Sequence, residues 1–526
     1  MSTIEDILQV TRENSRRTFV VDAISDRSYS YHDVQDFALR LCRVLKENGV
    51  ESGDRIGVLL DNSVEFVISY FSCLYMGALA VPVSVDLNSK TIGYIVKTVA
   101  AKLLICSSRT LSKVEGIRGI DRVTILCLVA ERERFPKASG ISYSLRLSDL
   151  LQSSIRPLSP FCGVDERDYF TITFTSGSTS KPKGVFHPIR NYITAARMFN
   201  ESLQVERKDR FYHILPMAYM AGLLNLIICP YMAGASIVVG RSFDALLAIE
   251  FWKAARKHGV NRMWLVPSIM AILMKVDRDA EGREYCRNKI RDAFVGTAPL
   301  QQRLKRDFER KYGIAIYESY GLSETMFVTS NRPGDKGGNG SVGYPMEGIS
   351  IRIMREKTGH SGKVRKGEVW VRTPTMMTGY LNEATGAPEL IDQDEYFPTG
   401  DLGYVDVEGR LHIVDRKKDI IIKAGINISP RAIEETVERH SAVEQAAAIG
   451  IPHELYGEDV AVALILKRGA AFQEVLNSIK QLCKERLDLA SVPSYYFQFE
   501  EFPLSFTGKV KKRELRELLL LRMRGK

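Results

Sequence analysis

Cysteines at metal-binding or redox spacing are missing from this chain of 526 residues. Its eight cysteines (Cys42, Cys73, Cys106, Cys127, Cys162, Cys229, Cys286 and Cys483) are scattered, with no C-x-x-C pair and no Cys/His cluster. That excludes a zinc-finger type of site and a disulfide scaffold, and points to a reducing, cytoplasmic setting. An apolar leader is also missing, since "MSTIEDILQVTRENSRR" is polar and does not read as a signal peptide. No long basic block accompanies the net charge of +10, which comes from 73 Lys+Arg against 63 Asp+Glu. The densest cationic stretch, "KVKKRELRELLLLRMRGK", reads as a last helix with a solvated basic face, so no nucleic-acid partner is expected. Internal repeats and low-complexity segments are absent too.

Charge itself is lacking over residues 211–240, which contain no Asp, Glu, Lys or Arg. The run is long enough to suggest a membrane span. His213, Pro216, Asn225, Pro230 and several glycines divide it, however, and "GASIVVG" at its end has the look of a short buried strand. A buried helix followed by a strand is expected, with no transmembrane segment.

What is present is ordinary for a soluble globular protein: 45% apolar and 26% charged residues in a chain too long for one core. The first half alternates helical and strand-like segments: "YHDVQDFALRLCRVLKENGV", "DRIGVLL", "EFVISYFSCLYMGA", "ALAVPVS". Such alternation predicts an α/β fold of parallel sheets covered by helices. After about residue 340 come short strands with glycine turns, "GISIRIM", "GEVWVRT" and "YVDVEGRLHIVD", which predict a small antiparallel, barrel-like β region. Beyond "DRKKD" (415–419), a helix at "PRAIEETVERH", two strands and the helix "FQEVLNSIKQLCKERL" predict a small, mobile α+β unit joined by a hinge. The expected domains are 1–415 and 418–526.

Residues 174–184, "FTSGSTSKPKG", follow a strand-like run and offer hydroxyls, freed backbone N–H groups and two lysines. These suit an oxygen-rich anion. The loop is not the G-x-x-x-x-G-K-[ST] phosphate loop: five on from Gly177 stands Pro182, and Gly184 is followed by Val185. Alone, such a loop reads equally as a surface turn.

Together with other segments it resembles the phosphate-binding signature of the adenylate-forming superfamily, which comprises acyl-CoA synthetases, stand-alone adenylation enzymes and luciferases. Matching segments follow in the family's order: "FVGTAPL" (294–300), "YESYGLSET" (317–325), "GSVGYP" (340–345) and "GEVWVRTPTMMTGY" (367–380). Then come "YFPTGDLGYVDVEGRLHIVDRKKDIIIKAGINISP" and "PLSFTGKVKKRELR". "GDRIGVLLDNSVEF" and "GALAVPV" near the start are similar as well, so the resemblance spans nearly the whole chain.

The resemblance implies an AMP-forming acid–thiol ligase using ATP, Mg2+ and coenzyme A. A carboxylate attacks the α-phosphate of ATP, pyrophosphate leaves, and a thiol then displaces AMP from the acyl-adenylate. Bringing an anion against phosphates requires cations and oriented donors. By resemblance, Thr175, Ser176, Gly177, Ser178, Thr179 and Lys183 cradle the β- and γ-phosphates, and Glu324 holds Mg2+ with Thr175. Tyr320 lies on the adenine, with Gly321 and Ser323 beside it, and Gly296, Thr297, Ala298 and Pro299 line the other side. Asp401 takes the ribose hydroxyls, supported by Arg416. Lys509, from the small domain, reaches the α-phosphate and carboxylate. Lys418 matches the hinge, and Gly425 the glycine that lines the thiol channel after the small domain rotates.

Three departures from the family pattern stand out. Ser180 stands where glycine is common, and Ser491 in "LASVP" where a cation often precedes Val-Pro. Ala218 and Tyr219 replace an aromatic–His pair on the acyl side. No acid occurs between Asp209 and Asp244 to pair with an α-ammonium, so an α-amino acid is disfavoured. Tyr219, Met220 and Gly222 suit an aliphatic or small aromatic acid. Two alternatives stay open at this level: loading of a carrier protein's phosphopantetheine arm, and a non-catalytic nucleotide-binding relative.

Overall fold

The computed structural model describes residues 3–115, 117, 119–129, 135, 142–152, 154–175, 182–335, 340–354, 366–504 and 510–524. Apolar runs without alternation form strands buried on both faces, as parallel sheets require: Leu79–Pro82, Leu103–Ser107, Ser236–Val239 and Arg262–Leu265. They belong to two nine-stranded sheets. In one sheet Thr18–Asp22, Ser236–Val239, Arg210–His213, Arg262–Leu265, Asp292–Val295 and Ile316–Leu322 run parallel. In the other, Tyr169–Thr175, Leu79–Pro82, Arg55–Leu59, Leu103–Ser107 and Thr124–Leu128 do so. One continuous core joins the two sheets, containing Ile56, Val58 and Phe170 from one and Phe211, Trp264 and Phe294 from the other.

Helix Val64–Met76 is buried nearly all round, which its sequence "VEFVISYFSCLYM" permits because Glu65 is its only charge. Ser63 caps it, the hydroxyl accepting from the Phe66 N–H at 3.2 Å. The charge-free run 211–240 divides as its breakers suggest: strand Arg210–His213, a π-helical stretch Ala221–Ile228 continuing into Cys229–Met232, then strand Ser236–Val239. Among the described residues no helix is long and apolar enough to cross a membrane.

The small antiparallel region is a four-stranded sheet in the order Ser350–Met354, Gly367–Arg372, Phe397–Val405, Leu411–Arg416. Past the short 3-10 turn Lys417–Asp419, five strands form a separate sheet whose two faces carry separate apolar clusters. Helices Pro430–Val437 and Phe472–Arg486 cover it on one side and Lys512–Arg524 on the other.

Among the described residues, this C-terminal unit meets the rest through polar contacts. Asp415 accepts from Ser429 Oγ (2.8 Å) and the Arg431 N–H (3.1 Å), and the Arg431 guanidinium donates to the Ile413 carbonyl at 2.8 Å. Lys275 pairs with Glu444 at 2.9 Å, and Arg303 reaches the Glu438 carbonyl at 3.4 Å. The Glu438 side chain accepts from the Ala446 N–H at 2.9 Å and faces Gln301 of the large unit. Burial is the main cause that pushes its carboxyl up to about 8, and the charges of Glu434 and Glu435 add to it.

The folded pKa of Glu438 lies above the ordinary carboxylate value of roughly 4.3, so the arrangement is favoured at low pH and loses stability as pH rises through about 8. Thermal unfolding followed from roughly pH 5 to pH 9 should show this decline, and Glu438→Gln should flatten it. Identical profiles for the two proteins would mean that Glu438 is not the group responsible.

Candidate functional site

Strand Tyr169–Thr175 turns back antiparallel into Lys183–Pro188, with Thr175 opposite Lys183. The polar loop therefore joins two strands. A phosphate loop of the G-x-x-x-x-G-K type instead opens a helix and supplies its dipole. A phosphate bound here would have to draw its positive charge from side chains and loop N–H groups. Ser176, Gly177, Ser178, Thr179 and Ser180, like Lys509 further on, lie outside the described residues. Gly184, just past the loop, has no room to spare: an added Cβ would lie 3.0 Å from both Ile172 Cγ2 and Leu381 Cβ.

Lys183 is exposed and stands over the Tyr380 ring, 4.9 Å from its centroid. The Tyr380 hydroxyl in turn donates to Glu324 Oε1 at 2.9 Å. One aromatic side chain thus ties the candidate phosphate cation to the candidate metal ligand. Burial, and then the Glu324 charge, hold the Tyr380 phenol well above its ordinary value, so it stays a donor.

Glu324 sits in the tight turn between Ile316–Leu322 and Met326–Ser330, where a bulge falls at Tyr320/Gly321. A Cβ on Gly321 would meet the Met326 carbonyl at 2.2 Å, so the turn needs glycine there. Three successive carbonyls of the turn are each held by a different donor. His187 Nε2 donates to the Ser323 carbonyl (2.7 Å), the Met377 N–H to that of Glu324 (2.8 Å), and Thr375 Oγ1 to that of Thr325 (2.8 Å). Burial lowers the His187 pKa to about 4, so the ring is neutral, and its Nδ1 accepts from Asn191 at 3.1 Å. Asn191 also donates to the Met376 carbonyl at 2.8 Å, fixing both loops from one helix.

Asp401 is 2% exposed, on strand Phe397–Val405 directly across from Arg416. Arg416 Nε pairs with Asp401 Oδ1 at 2.6 Å, and the Tyr320 hydroxyl donates to Oδ2 at 2.5 Å. Burial and then Asp401 keep the Tyr320 phenol protonated. Gly296, Thr297, Ala298 and Pro299 form the turn after strand Asp292–Val295, with Thr297 in the left-handed region at φ 71°. A Cβ on Gly296 would lie 2.9 Å from Ser319 Oγ, so this turn rests directly on the strand that carries Tyr320.

The 215–222 segment is tightly packed. Met217 and Ala218 are buried; Tyr219 and Met220 are half-buried, with Tyr219 facing Ser84 and Asp86. Gly222 is required by packing: its Cβ would meet the Pro216 carbonyl at 2.2 Å, and its own carbonyl accepts from His213 at 3.0 Å. Lys418 lies in the Lys417–Asp419 turn. Gly425 and Ala424 make the two-residue turn between Ile421–Lys423 and Ile426–Ile428, at φ 79° and 50°. A Cβ on Gly425 would meet nothing within 4 Å.

Sequence reasoning had no role for Tyr380, His187 or Asn191. Tyr380 ends the segment "GEVWVRTPTMMTGY", whereas a lone histidine at the end of an apolar strand carries no signal of its own. Among the described residues no three His, Cys, Asp or Glu gather as a metal cage. The candidate donors Glu324 and Thr175 are one carboxylate and one hydroxyl, hard oxygens of the kind a cation shared with phosphates takes.

A family model described as "AMP-binding enzyme" matches residues 8–381, and one described as "AMP-binding enzyme C-terminal domain" matches 432–509. A long-chain-fatty-acid–CoA ligase of Bacillus subtilis is 28% identical over 517 residues, covering 93% of this chain and 90% of its own. The fold is that of an anthranilate CoA ligase solved with anthranoyl-AMP: TM-score 0.87, 24% identity, 99% of this chain and 98% of the other. It is equally that of an ATP-bound MatB from Rhodopseudomonas palustris: TM-score 0.85, 23% identity, 98% and 99% covered.

Proposed function

The chain belongs to the AMP-binding enzyme family, and from that premise we propose that it is an AMP-forming acid–CoA ligase. It activates a carboxylic acid with ATP to an acyl-adenylate, releases pyrophosphate, and passes the acyl group to the thiol of coenzyme A. The observation that carries this reading is the Lys183–Tyr380–Glu324 chain at the mouth of the Tyr169–Thr175 hairpin. A cation and a carboxylate are fixed through one phenol beside a hydroxyl-rich loop, as phosphate transfer needs.

In this reading the loop N–H groups and hydroxyls, with Lys183, bind the β- and γ-phosphates and orient the α-phosphate for in-line attack. Glu324 and Thr175 would hold Mg2+, which offsets phosphate charge when bound. Tyr320 covers the adenine while its hydroxyl, with Arg416, steadies Asp401 for the ribose hydroxyls. Lys509 approaches from the C-terminal unit to meet the carboxylate and α-phosphate. The units divide at 415–418, and Lys418 pivots the second on the first. Ile422, Ile426, Leu455, Tyr456 and Leu489 are exposed apolar residues on the face around the Gly425 turn, the kind of surface a rotated arrangement would cover.

The test is ATP–pyrophosphate exchange with a panel of aliphatic and aromatic acids. Acid-dependent exchange is expected, and none with any acid would overturn the reading. Adding coenzyme A or a phosphopantetheinylated carrier protein then identifies the acceptor; coenzyme A is expected.

Tyr219 forms one wall of the acyl pocket in this reading, its ring half-buried and its phenol held protonated by burial. Tyr219→Ala should move preference toward bulkier acids by about 1–3 kcal/mol, the usual value of a methylene-scale change in a pocket. ATP affinity should hardly change. Measuring kcat/KM over a graded acid series decides: a uniform loss with an unchanged profile makes Tyr219 a packing residue.

A further inference from the structure

The "DNS" of "DRIGVLLDNSVEF" is unaccounted for by nucleotide chemistry, yet its asparagine is built into the segment read here as the acyl side. Asn62 follows strand Arg55–Leu59 of one nine-stranded sheet and precedes the Ser63 cap of helix Val64–Met76. It is 5% exposed. Its side chain does not serve its own corner. Nδ2 donates to the Leu215 carbonyl at 2.8 Å, and Oδ1 accepts from the Met217 N–H at 2.9 Å. One amide thus pairs with the carbonyl of one residue and the N–H two residues on, as a neighbouring strand would.

Tyr70, two turns along the same helix and fully buried, donates its hydroxyl to the Met217 carbonyl at 2.9 Å. Pro216, between them, has no N–H, and its carbonyl accepts from the Tyr219 N–H at 3.2 Å. Every backbone polar group from the Leu215 carbonyl to the Met217 carbonyl therefore has a partner. The segment follows strand Arg210–His213 of the opposite sheet, so Asn62 and Tyr70 tie the two sheets together at this point. Both partners are neutral, in a stretch that itself carries no charge from 211 to 240. A charged side chain here would have to be buried without a counterion.

We propose that Asn62, seconded by Tyr70, is a positioning residue for acid selectivity. It sets where residues 215–220 lie, and with them the Tyr219 and Met220 side chains. The proposal rests on the reading of those two residues as the acyl wall. It predicts a role on the acid side alone, because none of the nucleotide-side groups touches Asn62 or Tyr70 among the described contacts.

The experiment compares wild type, Asn62→Ala, Asn62→Asp and Tyr70→Phe in pyrophosphate exchange across a graded acid series, with melting temperature as a folding control. Asn62→Ala leaves a buried N–H and a buried carbonyl unpaired, so KM for the preferred acid should rise on the order of tenfold and the preference profile flatten. KM for ATP should stay within about twofold. Asn62→Asp keeps the acceptor for Met217 but buries a carboxylate with one oxygen against the Leu215 carbonyl, so its effect should be at least as large. Tyr70→Phe keeps the ring against Phe66 and Phe170 and loses one hydrogen bond, so it should fold and shift the profile in the same direction by less. If Tyr70→Phe and whichever Asn62 variant folds keep the wild-type ratios between acids, or raise KM for ATP and acid in parallel, the proposal is overturned. Failure of the parent reading looks different: wild type itself would then exchange with no acid.

Discussion

Lys509→Ala should cost adenylation a factor of about 10²–10³, the typical loss when one preorganised charge-stabilising donor is removed from a reacting centre. Lys509 is, by this proposal, the cation that the C-terminal unit contributes to the first half-reaction. The carboxylate and the α-phosphate are both anionic, and their approach needs a positive charge at the point where they meet. The second half-reaction has other needs, because the thiol attacks the acyl carbon of a mixed anhydride in which the carboxylate charge is gone, and AMP leaves. Thioester formation from presynthesised acyl-adenylate should therefore survive in Lys509→Ala with a much smaller loss. Both halves are measurable separately, by pyrophosphate exchange and by AMP release from added acyl-adenylate. Equal losses in the two would point to a folding defect or to another role for Lys509.

Gly425→Leu should do the reverse, leaving pyrophosphate exchange near wild type and blocking transfer to the thiol. The turn geometry makes this a sharp test. A Cβ at Gly425 meets nothing within 4 Å in the present arrangement, so a side chain can leave the turn there without a clash at its first carbon. Its backbone at φ 79° does disfavour any side chain, by roughly 1–2 kcal/mol. Gly425→Ala carries the same backbone strain with little bulk and is the control. Loss of transfer in Gly425→Leu but not in Gly425→Ala identifies obstruction in a second, rotated arrangement. Equal loss in both assigns the effect to the turn. Lys418→Pro fixes φ within the Lys417–Asp419 turn and should likewise impair transfer more than exchange. Wild-type transfer in both Gly425→Leu and Lys418→Pro would contradict domain rotation.

The α/β architecture could be read from the alternation of helical and strand-like segments, and runs such as "LAVP" and "SIVV" are indeed strands buried on both faces. The helix in "EFVISYFSCLYM" and the change to antiparallel strands after about residue 340 were legible for the same reason: periodicity is a local property. Pairing across long separations was not. Asp401 opposite Arg416 looks like two unrelated charges until strands Phe397–Val405 and Leu411–Arg416 align. The meeting of Lys183, Tyr380 and Glu324 depends on three elements spread over nearly two hundred residues of sequence. Asn62 was visible only as part of a resembling segment, since nothing local says that its amide reaches residues 215 and 217. Gly222 and Gly425 show the opposite difficulty. Both were legible as glycines with a purpose, and the structure adds a local reason for each that the sequence did not show: close packing against residue 216 for the first and turn geometry for the second.

The central claim is that an acid is adenylated on this chain and then handed to a thiol. It is tested most directly by following ATP labelled at the α-phosphate in the presence of an accepted acid and no coenzyme A. An enzyme-bound acyl-adenylate should accumulate in stoichiometry with the protein and discharge to AMP when coenzyme A is added. Label appearing as ADP, or as AMP without any dependence on the acid, would contradict the claim.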